Sequence, residues 1–198
     1  MITPAWIDCR AWLPPDYAER VRRVAVLYGR RVKTSGRGPG SLEPDETAGL
    51  DYIVVPGDVI RDQARWLWNI YHDPGLAHAV GEALGARVEP SPDASSCINI
   101  NYLAGAGGRY ERHVDGQPYT LNLFVTEHDG RTGGLLDLDG TLIYPRPGFG
   151  IPFDGAAIPH AVTPLLGGER LTIPMVFLAE DAAARPAGLS DYLYTEQP

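Results

Sequence analysis

Residues 17–28 carry Val21, Val24, Ala25 and Tyr28 at helical spacing behind Pro14, Pro15 and Asp16, a pattern that predicts a first helix. A Gly, Pro and Ser cluster over 35–41 then breaks the periodicity and suits a surface loop, either covering a site or simply exposed. Residues 51–55 form a β-branched run closed by Pro56 and Gly57. Helical spacing resumes over 58–84 through Ile60, Ala64, Leu67 and Trp68, with a break near Pro74 and Gly75. Trp66 and Trp68 suit a helix packed on a sheet rather than a ligand platform.

Beyond Pro92 the texture changes to short apolar runs punctuated by turn residues about every 8–12 positions, the habit of a β-sandwich or barrel. Candidate strands cover 96–103, 119–126, 134–138, 141–144, 150–153 and 170–178. Helices first and antiparallel strands afterwards predict a mainly β protein with α, its helices buttressing one face of a double sheet. The expected organisation is one domain over 1–198, with a mainly helical support region at 1–92, a β core at 93–182 and a C-terminal tail at 183–198.

Composition narrows the partners. The charge of −8, from 17 basic and 25 acidic residues with Lys33 as the only lysine, disfavours a nucleic-acid partner, which would call for clustered positive charge. Cys9 and Cys97 form neither a metal-type spacing nor a disulfide framework, so a reduced, cytoplasmic chain is expected. Asp8 and Arg10 interrupt any leader-like apolar run, and no stretch of about 18 apolar residues occurs, so no membrane association is expected.

The chemistry concentrates in three residues. His113 and Asp115 are two apart, and in an extended segment both fall on one face. His160, in an apolar setting beside Ile158 and Ala161, supplies a second imidazole. Two histidines and one carboxylate form the facial triad that leaves open positions on non-haem iron(II). Arg170 lies ten residues after His160 across Gly167 and Gly168, a spacing that predicts two strands of one hairpin facing each other. A guanidinium there suits a dicarboxylate cosubstrate, and Thr172, two residues on, adds a hydroxyl on the same face.

These residues carry a family resemblance. Tyr102, the glycine-rich 105–108, Tyr110 and Arg112-His113-Val114-Asp115, then Gly133-Gly134-Leu135, Pro145 with Gly148, and His160 to Pro164 followed by Gly168-Glu169-Arg170 occur in this order. The stretch 99–180 resembles the core of 2-oxoglutarate and iron(II)-dependent dioxygenases, especially the prolyl-hydroxylase-like branch. The resemblance implies a double-stranded β-helix, a cupin-like jelly roll, with His113, Asp115 and His160 as iron ligands and Arg170 as partner of the distal 2-oxoglutarate carboxylate. Tyr102 is expected to reach the cosubstrate or frame the pocket. Where the branch often places a tyrosine hydroxyl this chain has Phe124, leaving Thr172 or Asn122 to substitute.

The implied activity is oxidation of a C–H bond with 2-oxoglutarate and O2 as cosubstrates, releasing succinate and CO2. An aspartate at position 115 points away from halogenation; hydroxylation is the default expectation, and desaturation, cyclisation and epimerisation use the same triad and stay open. A small-molecule substrate, such as an amino acid or natural-product intermediate, is favoured; a peptide or prolyl hydroxylase, a non-enzymatic metal-binding jelly roll and a cupin-like isomerase are the alternatives. His128 is expected on a solvated turn, His72 and His78 in structural or exposed positions, and Asp137, Asp139 and Arg146 at the substrate mouth. The glycines at 105–108 lack the following Gly-Lys-Ser/Thr of a phosphate loop and suit a barrel turn.

Overall fold

The computed structural model describes residues 4–180 of the chain, so the tail expected at 183–198 lies outside the described residues. Val21, Val24 and Ala25 are buried along one face of α1 (Tyr17–Tyr28), as their spacing predicts. The second helical stretch is three short helices, α2 (Gly57–Gln63), α3 (Arg65–Tyr71) and α4 (Pro74–Leu84). Asp73 starts α4 by accepting from Gly75 N at 2.8 Å and Leu76 N at 3.3 Å, with Pro74 inside its first turn and Gly85, in the left-handed region at φ 67°, ending it.

The strands in chain order are β1 (Ile7–Asp8), β2 (Arg30–Ser35), β3 (Gly49–Val55), β4 (Val88–Pro90), β5 (Ile100–Ala104), β6 (Tyr110–His113), β7 (Tyr119–Phe124), β8 (Leu136–Leu138), β9 (Thr141–Ile143), β10 (Phe149–Asp154), β11 (His160–Val162) and β12 (Glu169–Ala179). A large sheet has the order β1-β10-β7-β12-β5-β3-β2, with β4 also pairing β12, and a small sheet the order β6-β11-β8-β9. Every strand pair is antiparallel. The result is a mainly β jelly roll with helices packed against the large sheet. The main apolar cluster joins Val21, Ile60, Leu67 and Leu76 of the helices to Leu121, Ile173 and Met175 of the central strands.

The N-terminal half is less helical than its sequence pattern suggests, because β2 and β3 form a hairpin that extends the large sheet beyond β5. Charged side chains at Arg30, Arg31 and Lys33 conceal β2, an edge strand with Val32 as its single buried residue. The observed strands are shorter at some ends than expected, leaving 96–99, Val125, Thr126, Gly134, Leu135 and Tyr144 outside them. The hairpin expected between His160 and Arg170 does not exist. β11 pairs with β6 and β8, whereas β12 pairs with β5, β7 and β4, so the turn at Gly167 and Gly168 carries the chain from one sheet to the other. The two residues therefore reach one cavity from opposite walls.

Candidate metal centre and its cavity

His113 ends β6 and His160 begins β11, and the register places them directly opposite each other, with ring centroids 4.2 Å apart. The pairing slips between this rung and Tyr110–Val162, with three steps on β6 against two on β11, so β6 bulges beside the site. Nδ1 of His113 lies 2.7 Å from the Glu111 carbonyl and Nδ1 of His160 lies 2.9 Å from the Ile158 carbonyl. A carbonyl only accepts, so each Nδ1 carries a hydrogen, and in the neutral form that a metal ligand requires each Nε2 presents its lone pair to the cavity. Those Nε2 atoms lie 3.6 and 3.5 Å from Asp115 Oδ1, and ligand atoms of the three residues fall within 4.8 Å of one another.

Burial alone would raise the Asp115 carboxyl, but hydrogen bonding and charge from His113 and His160 outweigh it and hold the group far below the usual carboxylate range. Burial works against the His113 imidazolium too, and the adjacent Asp115 still draws its pKa upward. Two pinned imidazoles and one ionised carboxylate on one side of a cavity fit a divalent first-row metal, and the mixed N/O set suits iron(II).

Arg170 forms part of the far wall. Only 2% exposed, it donates Nε to the Gly134 carbonyl at 2.8 Å and Nη1 to Thr172 Oγ1 at 3.2 Å, while its buried Nη2 has no partner. No carboxylate among the described residues pairs with it. Burial lowers its pKa to about 10, still high enough to keep it charged at neutral pH. A buried, unpaired guanidinium costs several kcal/mol unless an anion joins it, and its fork geometry suits a carboxylate. Arg170 shares one cavity with His113, Asp115 and His160.

Thr172 and Asn122 line this cavity. Thr172 is registered against Asn101 on one side and Phe124 on the other, while Asn122 sits two rungs along, opposite Pro174. Tyr102 is corrected: β5 alternates, so Asn101 lines the cavity while Tyr102 packs towards the helices and donates its hydroxyl to Glu169 at 3.2 Å. The oxygens of Asn101 and Asn122 are buried without partners. Phe124 belongs to the apolar cluster with Ile151 and Phe153.

His128 is also not where its polar neighbours suggest. It is buried at 5% exposure, with Nε2 3.1 Å from Thr126 Oγ1, and both burial and the Arg170 charge lower its pKa. A β-carbon on Gly134 would come within 3.1 Å of His128 Nδ1 and 3.2 Å of Arg170 Cδ, which places the imidazole behind the arginine. Asp137, Asp139 and Arg146 do not line the cavity: Asp137 accepts from Gly140 N, Asp139 pairs with Arg112 at 2.6 Å, and Arg146 covers the Trp6 ring at 4.9 Å. Cys9 and Cys97 are free, buried thiols pushed up to about 12 by burial, which leaves them protonated.

The loop read over 35–41 is the first part of a longer connection, 36–48 between β2 and β3, which covers part of the site. Gly38 and Pro39 line the cavity, and Leu42 N donates to Arg112 O at 2.8 Å while Val114 N donates to Gly40 O at 3.1 Å. Glu43 takes both Arg109 terminal nitrogens, at 2.7 and 2.8 Å, and Ser41 Oγ donates to Glu111 at 2.9 Å. This segment is a strap laid along the outer edge of β6.

No protein-family model and no curated protein sequence matches the chain. Its fold is similar to that of the α-ketoglutarate-dependent epimerase SnoN from nogalamycin biosynthesis, at 12% identity over 98% of this chain and 86% of that one, with TM-score 0.66. It is similar as well to a 2OG-Fe(II) oxygenase family oxidoreductase from Burkholderia pseudomallei, at 12% identity over 92% and 88% of the two chains, with TM-score 0.62. A third match is a prolyl hydroxylase from Trichoplax adhaerens solved with a peptide fragment, at 14% identity over 89% and 84%, with TM-score 0.56. SnoN has also been solved with Fe3+, α-ketoglutarate and nogalamycin RO. At these identities the likeness establishes the shared jelly-roll fold.

Proposed function

We propose that this chain is an iron(II)- and 2-oxoglutarate-dependent dioxygenase that hydroxylates a C–H bond of a small molecule. The observation that carries the reading is the pairing, across one cavity, of a two-histidine, one-carboxylate cluster with a buried guanidinium that has no counter-anion among the described residues. The cluster alone would suit many metal-dependent reactions, and the guanidinium alone would suit any small anion. Together they match the two ends of a keto acid that chelates a metal through one end and carries a free carboxylate at the other.

His113, Asp115 and His160 would hold the iron, which with 2-oxoglutarate and O2 supplies the oxidising chemistry, succinate and CO2 being the coproducts. Arg170 would bind the distal carboxylate, with Thr172 orienting the guanidinium and Asn122, beside Pro174, flanking the cosubstrate. The carbonyls of Glu111 and Ile158 fix the imidazole tautomers, and apolar walls such as Leu136 and Phe153 limit water. A strap narrowing the mouth at Gly38 and Pro39 favours a compact substrate over an extended peptide.

The test is anaerobic absorption spectroscopy. Fe(II) followed by 2-oxoglutarate should give a metal-to-ligand charge-transfer band that needs both additions, and air should then yield succinate, faster in the presence of substrate. No band at saturating iron and 2-oxoglutarate would sink the reading.

A further inference from the structure

The geometry points to Thr120 and Gly155 as positioning residues that divide the Asp115 carboxylate, leaving Oδ1 to a metal and reserving Oδ2 for the protein; this rests on the metal-site reading above. Both imidazole Nε2 atoms face Oδ1, at 3.6 and 3.5 Å. Oδ2 is occupied otherwise, accepting the Thr120 hydroxyl at 2.8 Å. Thr120 belongs to β7 in the large sheet, whereas Asp115 follows β6 of the small sheet, so this bond crosses from one wall to the other. Thr120 is 4% exposed and registered opposite Val176. A β-branched side chain in a strand has few rotamers, which makes its hydroxyl a stiff donor.

Gly155 completes the clamp. Its carbonyl accepts from Asp115 N at 2.8 Å, which fixes the aspartate backbone. A β-carbon at 155 would collide with Asp115 Oδ2 and crowd Cγ, at 2.9 Å, and Cβ, at 3.0 Å. The positive-φ glycines do not include Gly155, so glycine is required here for space rather than for backbone conformation. One hydrogen bond, one backbone bond and one missing methyl therefore hold the carboxylate in a single pose. In that pose it gives the metal one oxygen, whereas a rotated carboxylate would offer two and occupy a position that the keto acid or O2 needs.

Thr120→Val and Thr120→Ser, with Gly155→Ala beside them, test the proposal through metal binding rather than turnover. Co(II) serves as the spectroscopic probe, and Fe(II) affinity is read by competition with a chromophoric chelator. Thr120→Val should bind both metals about 10- to 100-fold more weakly and change the Co(II) d–d bands, with far-UV circular dichroism unchanged. Thr120→Ser should restore wild-type behaviour, and Gly155→Ala should bind more weakly than Thr120→Val. Wild-type affinity and an unchanged Co(II) spectrum in Thr120→Val would overturn this proposal while leaving the metal site standing. A wild-type chain that binds neither metal would sink the site reading and the clamp with it.

Discussion

The cavity-facing strands of the large sheet are long and held on both sides, with β12 running eleven residues between β5, β7 and β4, whereas the strands of the small sheet are three or four residues long. Arg170, Thr172, Asn122 and Thr120 come from the first wall, and His113 and His160 from the second. A long strand fixes its side chains through its neighbours, so groups on the large sheet are placed by the fold as a whole. Short strands cannot do that alone. The small sheet instead places its imidazoles through local bonds to the Glu111 and Ile158 carbonyls, and Asp115 through Gly155 and Thr120. The two walls should fail differently when altered: the small sheet through lost geometry, the large sheet through lost charge.

The greatest effect should come from His160→Ala, which removes one of three donors; stoichiometric Fe(II) binding should disappear by metal analysis, and with it the charge-transfer band. Arg170→Met should leave Fe(II) binding intact and weaken 2-oxoglutarate about 10- to 100-fold, read as the concentration needed for half the band. It should also hold or raise the melting temperature of the metal-free protein, since it removes a buried cation with no counter-charge. A fall in melting temperature alongside normal 2-oxoglutarate affinity would erase the contrast between the walls. Glu43→Ala should cost about 1 kcal/mol by loosening the strap from Arg109, a drop of about 2–4 °C in melting temperature.

The smallest effect concerns pH. The pKa of His128 is depressed in the fold, first by burial and then by the Arg170 charge. Its neutral form suits the folded state, so stability is full above its unfolded pKa of about 6.5 and declines as pH falls from there towards the depressed folded value. His128→Gln should flatten that part of the acid limb in melting curves recorded across pH 7 to 4. An unchanged acid limb would show that other groups govern it.

Much of this was legible in the chain. Helix α1 and most core strands follow from period and turn residues, which are local signals, whereas the meeting of His113, Asp115, His160 and Arg170 at one cavity was implied by the ordered motifs of the resemblance and not by the hairpin that the spacing suggested. What was hidden depends on the meeting of distant segments. The sheet change between His160 and Arg170 is set by pairing partners rather than by the ten residues separating them. A shift of one position in β5 decided whether Asn101 or Tyr102 entered the cavity, and only register resolves a period of two. His128 sits among polar residues in sequence and beside Arg170 in space. Thr120 offered the signal of an inward strand position, but its partner comes from the other sheet.

The strap has a consequence for how the molecule survives damage. By bonding to Arg112 O and Val114 N, it occupies the outer edge of β6, a row of backbone groups that would otherwise recruit another chain. Its exposed stretch around Arg37 and Asp45, joined by an ion pair at 3.4 Å, offers a protease a natural point of entry. A single cut there would uncover an unpaired strand that carries His113 at its end, so nicked molecules should accumulate as aggregates rather than as soluble, inactive protein.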